Sequence, residues 1–505
     1  MSYQKSPFEL KMWEKTKSED MRERAEAFGK LAEYTHNQQD FATSLTCAKQ
    51  STMLYEELND SFGQAEGHYY EGRALRGQKD NPGALTKFEK AAEFFRANPN
   101  EFFLAAILCE QGHAYLELKQ HVLAKNAFEN AMNLFVVEEK WSDAGFAALM
   151  SAEMLSELKD YAQAEFNATR ALDLLAMDED EGSYLHTARA YKVRADAHAE
   201  QNDYVAASAD YWQSFWLLDY LDVDIYKIEV LLDLSKALIV TGEFEEAKPL
   251  IGQAREIGRT ASLIRAQANA DLLEARILAK QGEGEQAKKL LTRARAAFAA
   301  SPDKHLVFQC DFELGKVLQQ TDHMLAAVQF ESALEQAQIN KYELDDHAIY
   351  LALAQSYLEV GRADAVVARA STLVIQKLPN PDWVAGASNY HARALVLIGQ
   401  CEQALEQLAF VLDSTNTELD SSHLAYALET KARALYAMGQ AQQALEILNP
   451  LLLQFSLEQS QEDCRRIAGL IQDCTLKISQ DDASLVGFQS FETSPDDASD
   501  AIGDL

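Results

Sequence analysis

No Cys-x-x-Cys pair, no signal-peptide core and no apolar run of about 18 residues occurs anywhere in the chain. Each absence excludes a class. The six cysteines (Cys47, Cys109, Cys310, Cys401, Cys464, Cys474) lie far apart within apolar stripes, so they read as reduced, buried thiols of a cytoplasmic protein. The longest apolar run, Phe102 to Cys109, is stopped by Glu110, and no membrane insertion is expected. Positive charge is also scarce. Against 79 acidic residues stand 46 basic ones, a net charge of -33, whose long-range field opposes a phosphate backbone and argues against nucleic acid as a partner.

Catalytic signatures are missing too. There is no Walker loop, no nucleophile elbow and no His-Glu-x-x-His. Gly282-Glu-Gly284-Glu-Gln-Ala287 imitates a dinucleotide loop, but it joins two helical segments with no strand before it, and its glutamates would repel phosphate. It reads as a turn. His186 with His198, and Asp345-Asp346-His347, lack a metal-ligand spacing. The expectation is therefore a non-enzyme with no cofactor and no metal.

What the chain does have is a repeat. The frame Ala84-x-x-x-Phe88-x-x-Ala91 returns at Ala124, Phe128 and Ala131. Its first small residue runs Ser44, Ala84, Ala124, Ala164, Ala207, Ala247, Ala287, Ala326, Val366, Ala404, Ala444, in steps of 38 to 43 residues. Between these stripes a second series of small residues recurs, Gly72, Gly112, Ala152, Ala195, Ser235, Ala275, Gly315, Ala354, Ala392 and Ala432, where paired helices should cross closely. A fixed period of helical units, none able to bury its apolar face alone, predicts a stacked array of helical hairpins.

On these residues the chain resembles tetratricopeptide repeat proteins over about residues 21 to 455. The unit is longer than the usual ~34 residues and is similar to those of kinesin light chains, Pins-like adaptors and bacterial peptide-pheromone receptors. The resemblance implies an all-α, right-handed α-solenoid superhelix of about eleven hairpins, whose first helices line a concave groove for a peptide or partner helix. The expected division is a capping segment over 1–20, the solenoid over 21–457, a capping helix over 458–480 and an acidic disordered tail over 481–505. That tail carries seven acidic residues, no basic ones and a small apolar island at Leu485, Val486, Phe488 and Phe491.

Counting one position past each small crossing residue gives the expected groove. The series is Arg73, His113, Glu153, Asp196, Lys236, Arg276, Lys316, Gln355, Arg393 and Arg433. Lys280 lies one turn beyond Arg276, and Asn269 and Asn389 fall on the same side, adding donors suited to a carboxylate or a peptide backbone. The groove candidates are thus Arg73, Lys236, Asn269, Arg276, Lys280, Lys316, Asn389, Arg393 and Arg433. Glu26, Glu33, Glu66, Glu117, Glu153 and Glu157 dominate the amino-terminal half, so a groove acidic at one end and basic at the other is expected.

A second candidate surface is aromatic. Trp212 and Trp216 occupy positions that are charged in other repeats, with Phe215 and Tyr220 nearby, and aromatics are enriched at interface centres. They form a candidate convex patch for a partner or for self-association; the acidic tail, placed in the chain's own groove or a neighbour's, is another route. The expected function is a non-enzymatic cytoplasmic scaffold that binds a peptide segment or partner protein, one with an acidic segment fitting the basic end. The alternatives are a peptide-sensing regulatory receptor and the regulatory subunit of a separate enzyme.

Overall fold

The computed structural model describes residues 6–178, 181–300, 305–340, 346–374, 381–412, 421–457 and 460–489. Every regular element among them is helical, and the helices pair in chain order. Hairpin 1 is Met21–Asn37 with Phe41–Glu57, hairpin 2 Ser61–Gly77 with Asn81–Ala97, hairpin 3 Glu101–Glu117 with His121–Val137, and hairpin 4 Trp141–Glu157 with Tyr161–Leu175. Hairpin 5 is Tyr184–Glu200 with Tyr204–Tyr220, hairpin 6 Asp224–Thr241 with Phe244–Thr260, and hairpin 7 Ile264–Lys280 with Gly284–Ala299. Hairpins 8 to 11 are His305–Gln319 with His323–Asn340, Asp346–Glu359 with Ala363–Val374, Pro381–Leu397 with Cys401–Leu412, and Ser421–Ala437 with Ala441–Leu457. The expected all-α hairpin array is present.

Each hairpin turns on the same local chemistry. Asp40, Asp80, Asp160 and Asp203 begin second helices by accepting the N–H of the residue three positions on, at 3.0 to 3.3 Å, which satisfies one orphan donor of the helix start. The residue before each aspartate is left-handed. Gln39, Lys79, Lys159 and Asn202 have φ of 60° to 67°, and Lys119, which precedes Gln120 instead, has 58°. In hairpins 6, 7, 9, 10 and 11 glycine takes this place, at Gly242, Gly282, Gly361, Gly399 and Gly439, where the conformation carries no Cβ strain.

Packing follows the repeat frame. Ala84, Ala124, Ala164, Ala207, Ala247, Ala287, Ala326, Ala404 and Ala444 are all fully buried. The second small series marks true helix crossings, because a Cβ built on Gly72, Gly112 or Gly315 would stand 2.4 to 2.7 Å from the ring of Phe88, Phe128 or Phe330. Core phenylalanines thus seat on glycine surfaces, one hairpin at a time. Buried polar clasps join successive helices as well: Glu71 accepts from Thr52 Oγ1 at 2.8 Å and pairs with Lys87 at 2.6 Å. Burial opposes the charge of Glu71, but hydrogen bonds from His68, Lys87 and Thr52 hold its pKa at about 2.

The chain divides into two compact bodies, Met1–Ile277 and Leu278–Leu505, the division falling inside the first helix of hairpin 7. In the first, Pro7–Lys15 is helical and its Met12 packs on Leu31, Ala32, Cys47 and Ala48. In the second, the final helix runs Gln461–Gln489, past the expected end of the cap at 480, and packs Ile467 and Cys474 against hairpin 11. Residues 490–505, the rest of the expected tail, lie outside the described residues, as do the side chains of 481–489. No disulfide joins any of the six cysteines.

Candidate functional site

Three cavities share one origin: they open chiefly between first helices of successive hairpins. In the amino-terminal body, one of about 690 Å³ is walled by hairpins 3 to 6, with Glu153, Arg189, Lys192, Asp196, Tyr226 and Glu229 among its sides. A second, of about 410 Å³, lies between hairpins 6 and 7 and includes Asp233, Lys236 and Asn269. In the carboxy-terminal body a cavity of about 650 Å³ lies between the first helices of hairpins 9, 10 and 11 and the start of the final helix. Apart from His121, the first residue of hairpin 3's second helix, second helices contribute nothing to these walls, because their apolar stripes are consumed in stacking.

The cavity walls are ion-pair networks. Arg189 Nη2 reaches Glu153 at 2.6 Å, Lys192 reaches Asp196 at 2.9 Å and Asp233 at 3.5 Å, and the Tyr211 hydroxyl donates to Asp196 at 2.7 Å. Burial works against the charge on Lys192, yet the flanking Asp196 and Asp233 carboxylates raise its pKa and keep it protonated. In the carboxy-terminal cavity Arg466 closes on Glu429 at 2.9 Å and Asp463 at 2.5 Å, with its guanidinium 5.6 Å above the Tyr426 ring.

The expected cations are accordingly matched at short range. Lys236 pairs with Asp233 at 2.7 Å, Lys316 with Glu313 at 2.7 Å, Arg433 with Glu429 at 2.8 Å and Arg73 with Glu110 at 3.2 Å. Arg393 stands 3.9 Å from Glu359. Arg276 is half-buried and Lys280 exposed on the same helix. The cavities bring Lys236 together with Asn269, and Asn389 together with Arg393. At Lys236, Lys316, Arg393 and Arg433, a cation row read from the sequence is in three dimensions a row of ion pairs, since the matching acids lie three or four residues earlier or on an adjoining first helix.

At the acidic end, burial and the like charges of Glu33 and Glu26 push the Glu66 carboxyl upward. Glu117, by contrast, is neutralised by Lys79 and Arg76. Among the described residues no group of three or more His, Cys, Asp or Glu side chains is placed to hold a metal ion, and no helix is long and apolar enough to cross a membrane.

The aromatic candidates divide. Trp212 and Trp216 stack, with ring centres 5.9 Å apart, and Trp216 and Tyr220 are 59% and 67% exposed. Phe215 is corrected: it is buried in the core beside Tyr211 and Leu218, because it lies a quarter-turn from Trp216 on the face that stacks against hairpin 6.

With 12% sequence identity, the chain superposes on a signal-transduction ATPase with numerous domains that carries a tetratricopeptide repeat sensor, from Pyrococcus horikoshii. The TM-score is 0.55 over 88% of this chain and 74% of that one. The fold is that of a tetratricopeptide-like repeat array. Lower similarity is found to the apo quorum sensor NprR of B. thuringiensis (15% identity, TM-score 0.48, 66% of this chain and 90% of that one). It is also found to aspartyl phosphate phosphatase F of Bacillus subtilis (13% identity, TM-score 0.45, 79% and 96%). No family model and no curated protein matches the sequence.

Within this tetratricopeptide-like array the position after the crossing residue lies in a cavity wall in five of ten hairpins, at Glu153, Asp196, Lys236, Gln355 and Arg393. Sequence reasoning missed Tyr390, Tyr426, Glu359 and Arg466. A signal for the tyrosines existed: Tyr390 lies three residues before Arg393 and Tyr426 seven before Arg433, on the same helical face. Arg466 had none, because its helix reads only as a cap.

Three half-buried histidines of the amino-terminal body give a pH prediction. Burial lowers the pKa of His36 to about 4, and burial also lowers His113 and His186. Unfolded histidine titrates near 6.5, so between about 6.5 and 4 the unfolded chain binds protons that the folded chain refuses. Stability must fall as pH falls through that window. The thermal midpoint is expected to drop between pH 7.5 and 5.5, and replacing the three histidines by glutamine should flatten that drop.

Proposed function

We propose that the chain is a non-enzymatic scaffold that binds a peptide segment or partner protein along the first-helix surfaces of its hairpins. One observation carries this reading. Three cavities among the described residues are built mainly from first helices, while the second helices are occupied in stacking; a further one, of about 500 Å³, lies between Ser456 and the start of the final helix. Cavities of this volume suit the side chains of an extended segment, and their mixed ion pairs, tyrosines and amides suit orientation of a polar chain better than a water-excluded reaction.

A cytoplasmic location belongs to the same proposal and rests on six cysteines of which none forms a disulfide. An acidic partner segment would have to displace the carboxylates already paired with Lys236, Lys316 and Arg433, so the geometry favours it less than the sequence did. Self-association is kept for Trp216 and Tyr220, whose exposure supports a contact; the other route considered, the tail, lies outside the described residues at 490–505.

The test is affinity capture from native lysate with variants of each surface. Arg433→Glu is unsuitable, because it would set a second carboxylate against buried Glu429. Lys236→Glu with Asn269→Ala, and Arg393→Glu with Tyr426→Ala, alter the cavities at partly exposed positions. Loss of a partner from either pair, with unchanged circular dichroism and with capture retained by Trp216→Glu/Tyr220→Glu, is the expected outcome. Capture that survives both cavity pairs and fails with the aromatic pair would move the working surface to hairpin 5's second helix.

A further inference from the structure

The carboxy-terminal cavity is electrically the reverse of what its arginines suggest. Its walls hold four carboxylates, Glu359, Glu429, Glu462 and Asp463, against two guanidiniums, Arg393 and Arg466. Adding Arg433, which reaches Glu429 from outside the wall, still leaves an acidic excess. The acids are not equally engaged. Glu429 and Asp463 are consumed by Arg466 and Arg433. Glu359 has only the 3.9 Å approach of Arg393, beyond hydrogen-bond reach, and among the described residues no cation stands within ion-pair distance of Glu462.

Asn389 supplies an independent observation. It is 8% exposed, and its Nδ2 donates to the His423 carbonyl at 3.0 Å. A carbonyl can only accept, so this bond fixes the amide orientation and leaves Oδ1 as the free end. That Oδ1 is buried and has no hydrogen-bond partner, an uncommon condition for a native interior. What it lacks is an N–H.

The third observation is aromatic. Tyr390 and Tyr426 both line the cavity, and the chain's own Arg466 already lies over the Tyr426 ring with carboxylates at its edge. Such a wall accepts a cation over the ring face.

Resting on the peptide-binding reading above, we propose that this cavity takes a cationic side chain of a peptide, arginine or lysine. Its charge is met by Glu359 or by Glu462, at the two ends of the wall beside the tyrosine rings, and a ligand N–H is accepted by Asn389 Oδ1. The partner segment is thus basic at this site, not acidic.

The probes are two fluorescent hexapeptides on the full chain in ~0.15 M salt, where long-range surface attraction is screened. One is Gly-Arg-Gly-Lys-Gly-Arg and the other Gly-Glu-Gly-Asp-Gly-Glu, both blocked at their ends. Saturable binding of the basic peptide alone is expected, weakened tenfold or more by Asn389→Leu and by Glu359→Gln/Glu462→Gln. Glu245→Gln/Glu256→Gln, two exposed acids of the other body, should leave it unchanged. The exposed glutamine pair decides the matter if Asn389→Leu does not fold.

Equal weakening by the control pair, or displacement by spermidine that is the same with and without the cavity substitutions, would reduce the binding to the diffuse field of an acidic chain and overturn the inference. Binding of the acidic peptide, lost in Asn389→Leu, would overturn the charge class while leaving the peptide-binding reading intact. If neither peptide responds to any cavity variant and lysate capture ignores Arg393→Glu/Tyr426→Ala as well, the site itself is wrong.

Discussion

Gly72→Leu is expected to open hairpin 2 and to leave distant hairpins nearly unaffected. Two effects of opposite sign meet at this position. Replacing a mid-helix glycine favours the helix by roughly 0.5 to 1 kcal/mol. Against this, the first added carbon would lie 2.5 Å from Phe88 Cε1 and 2.6 Å from Cδ1, and Phe88 is fully buried with no solvent side to retreat to. Overpacking of a tight core costs about 1 to 3 kcal/mol, and the remaining atoms of leucine add to it. The clash wins, with a net loss of ~2 kcal/mol or more.

Because a repeat contacts only its neighbours, hydrogen exchange should quicken first in Ser61–Gly77 and Asn81–Ala97. Adding Phe88→Leu to Gly72→Ala should return part of the loss, since the two sites share one contact. Wild-type protection in Gly72→Leu would mean that the helices do not cross at this distance.

Arg295→Ala is expected to lose about 3 kcal/mol in the carboxy-terminal body, toward the lower end of what breaking a buried pair costs. Asp311 is fully buried and accepts from Arg295 Nε at 2.5 Å, from Arg295 Nη2 at 3.1 Å and from Ser332 Oγ at 3.1 Å. The three helices of these residues, in hairpins 7 and 8, are tied through one carboxylate. Removing the arginine leaves that charge with a single hydroxyl, whereas Asp311→Asn leaves no charge to compensate and should cost less. The double variant Arg295→Ala/Asp311→Asn should therefore be more stable than Arg295→Ala alone. Additive losses in urea unfolding would instead show that the pair contributes nothing beyond its separate parts, as exposed ion pairs often do.

The repeat frame was legible because burial acts on it locally. Ala84 and Ala124 each pack within their own hairpin or the next, so identity at a fixed spacing is enough to place them. The same holds for Gly72 and Gly112, whose crossing partner is the phenylalanine sixteen residues on. Trp216 was legible as an exposed aromatic, but Phe215 was not legible as core, since neighbouring positions on a helix differ in fate by about 100° of rotation. At the cavities, half of the crossing series, Glu153, Asp196, Lys236, Gln355 and Arg393, lies in a wall. The series misjudged the charge, because Lys236, Lys316 and Arg433 each carry the cancelling acid a turn earlier on the same helix.

By itself, the sequence determined the helical class, the number of hairpins, the stacking stripe and the first-helix series that walls the cavities. All of these depend on contacts that repeat every ~40 residues between neighbours. Tertiary structure alone decided which charges remain unspent and where an acceptor lacks a donor. Arg466 meets Glu429 across thirty-seven positions and Asn389 meets the His423 carbonyl across thirty-four. Electrostatic balance at such a point is set by how closely separate helices approach, and neither composition nor period fixes that distance.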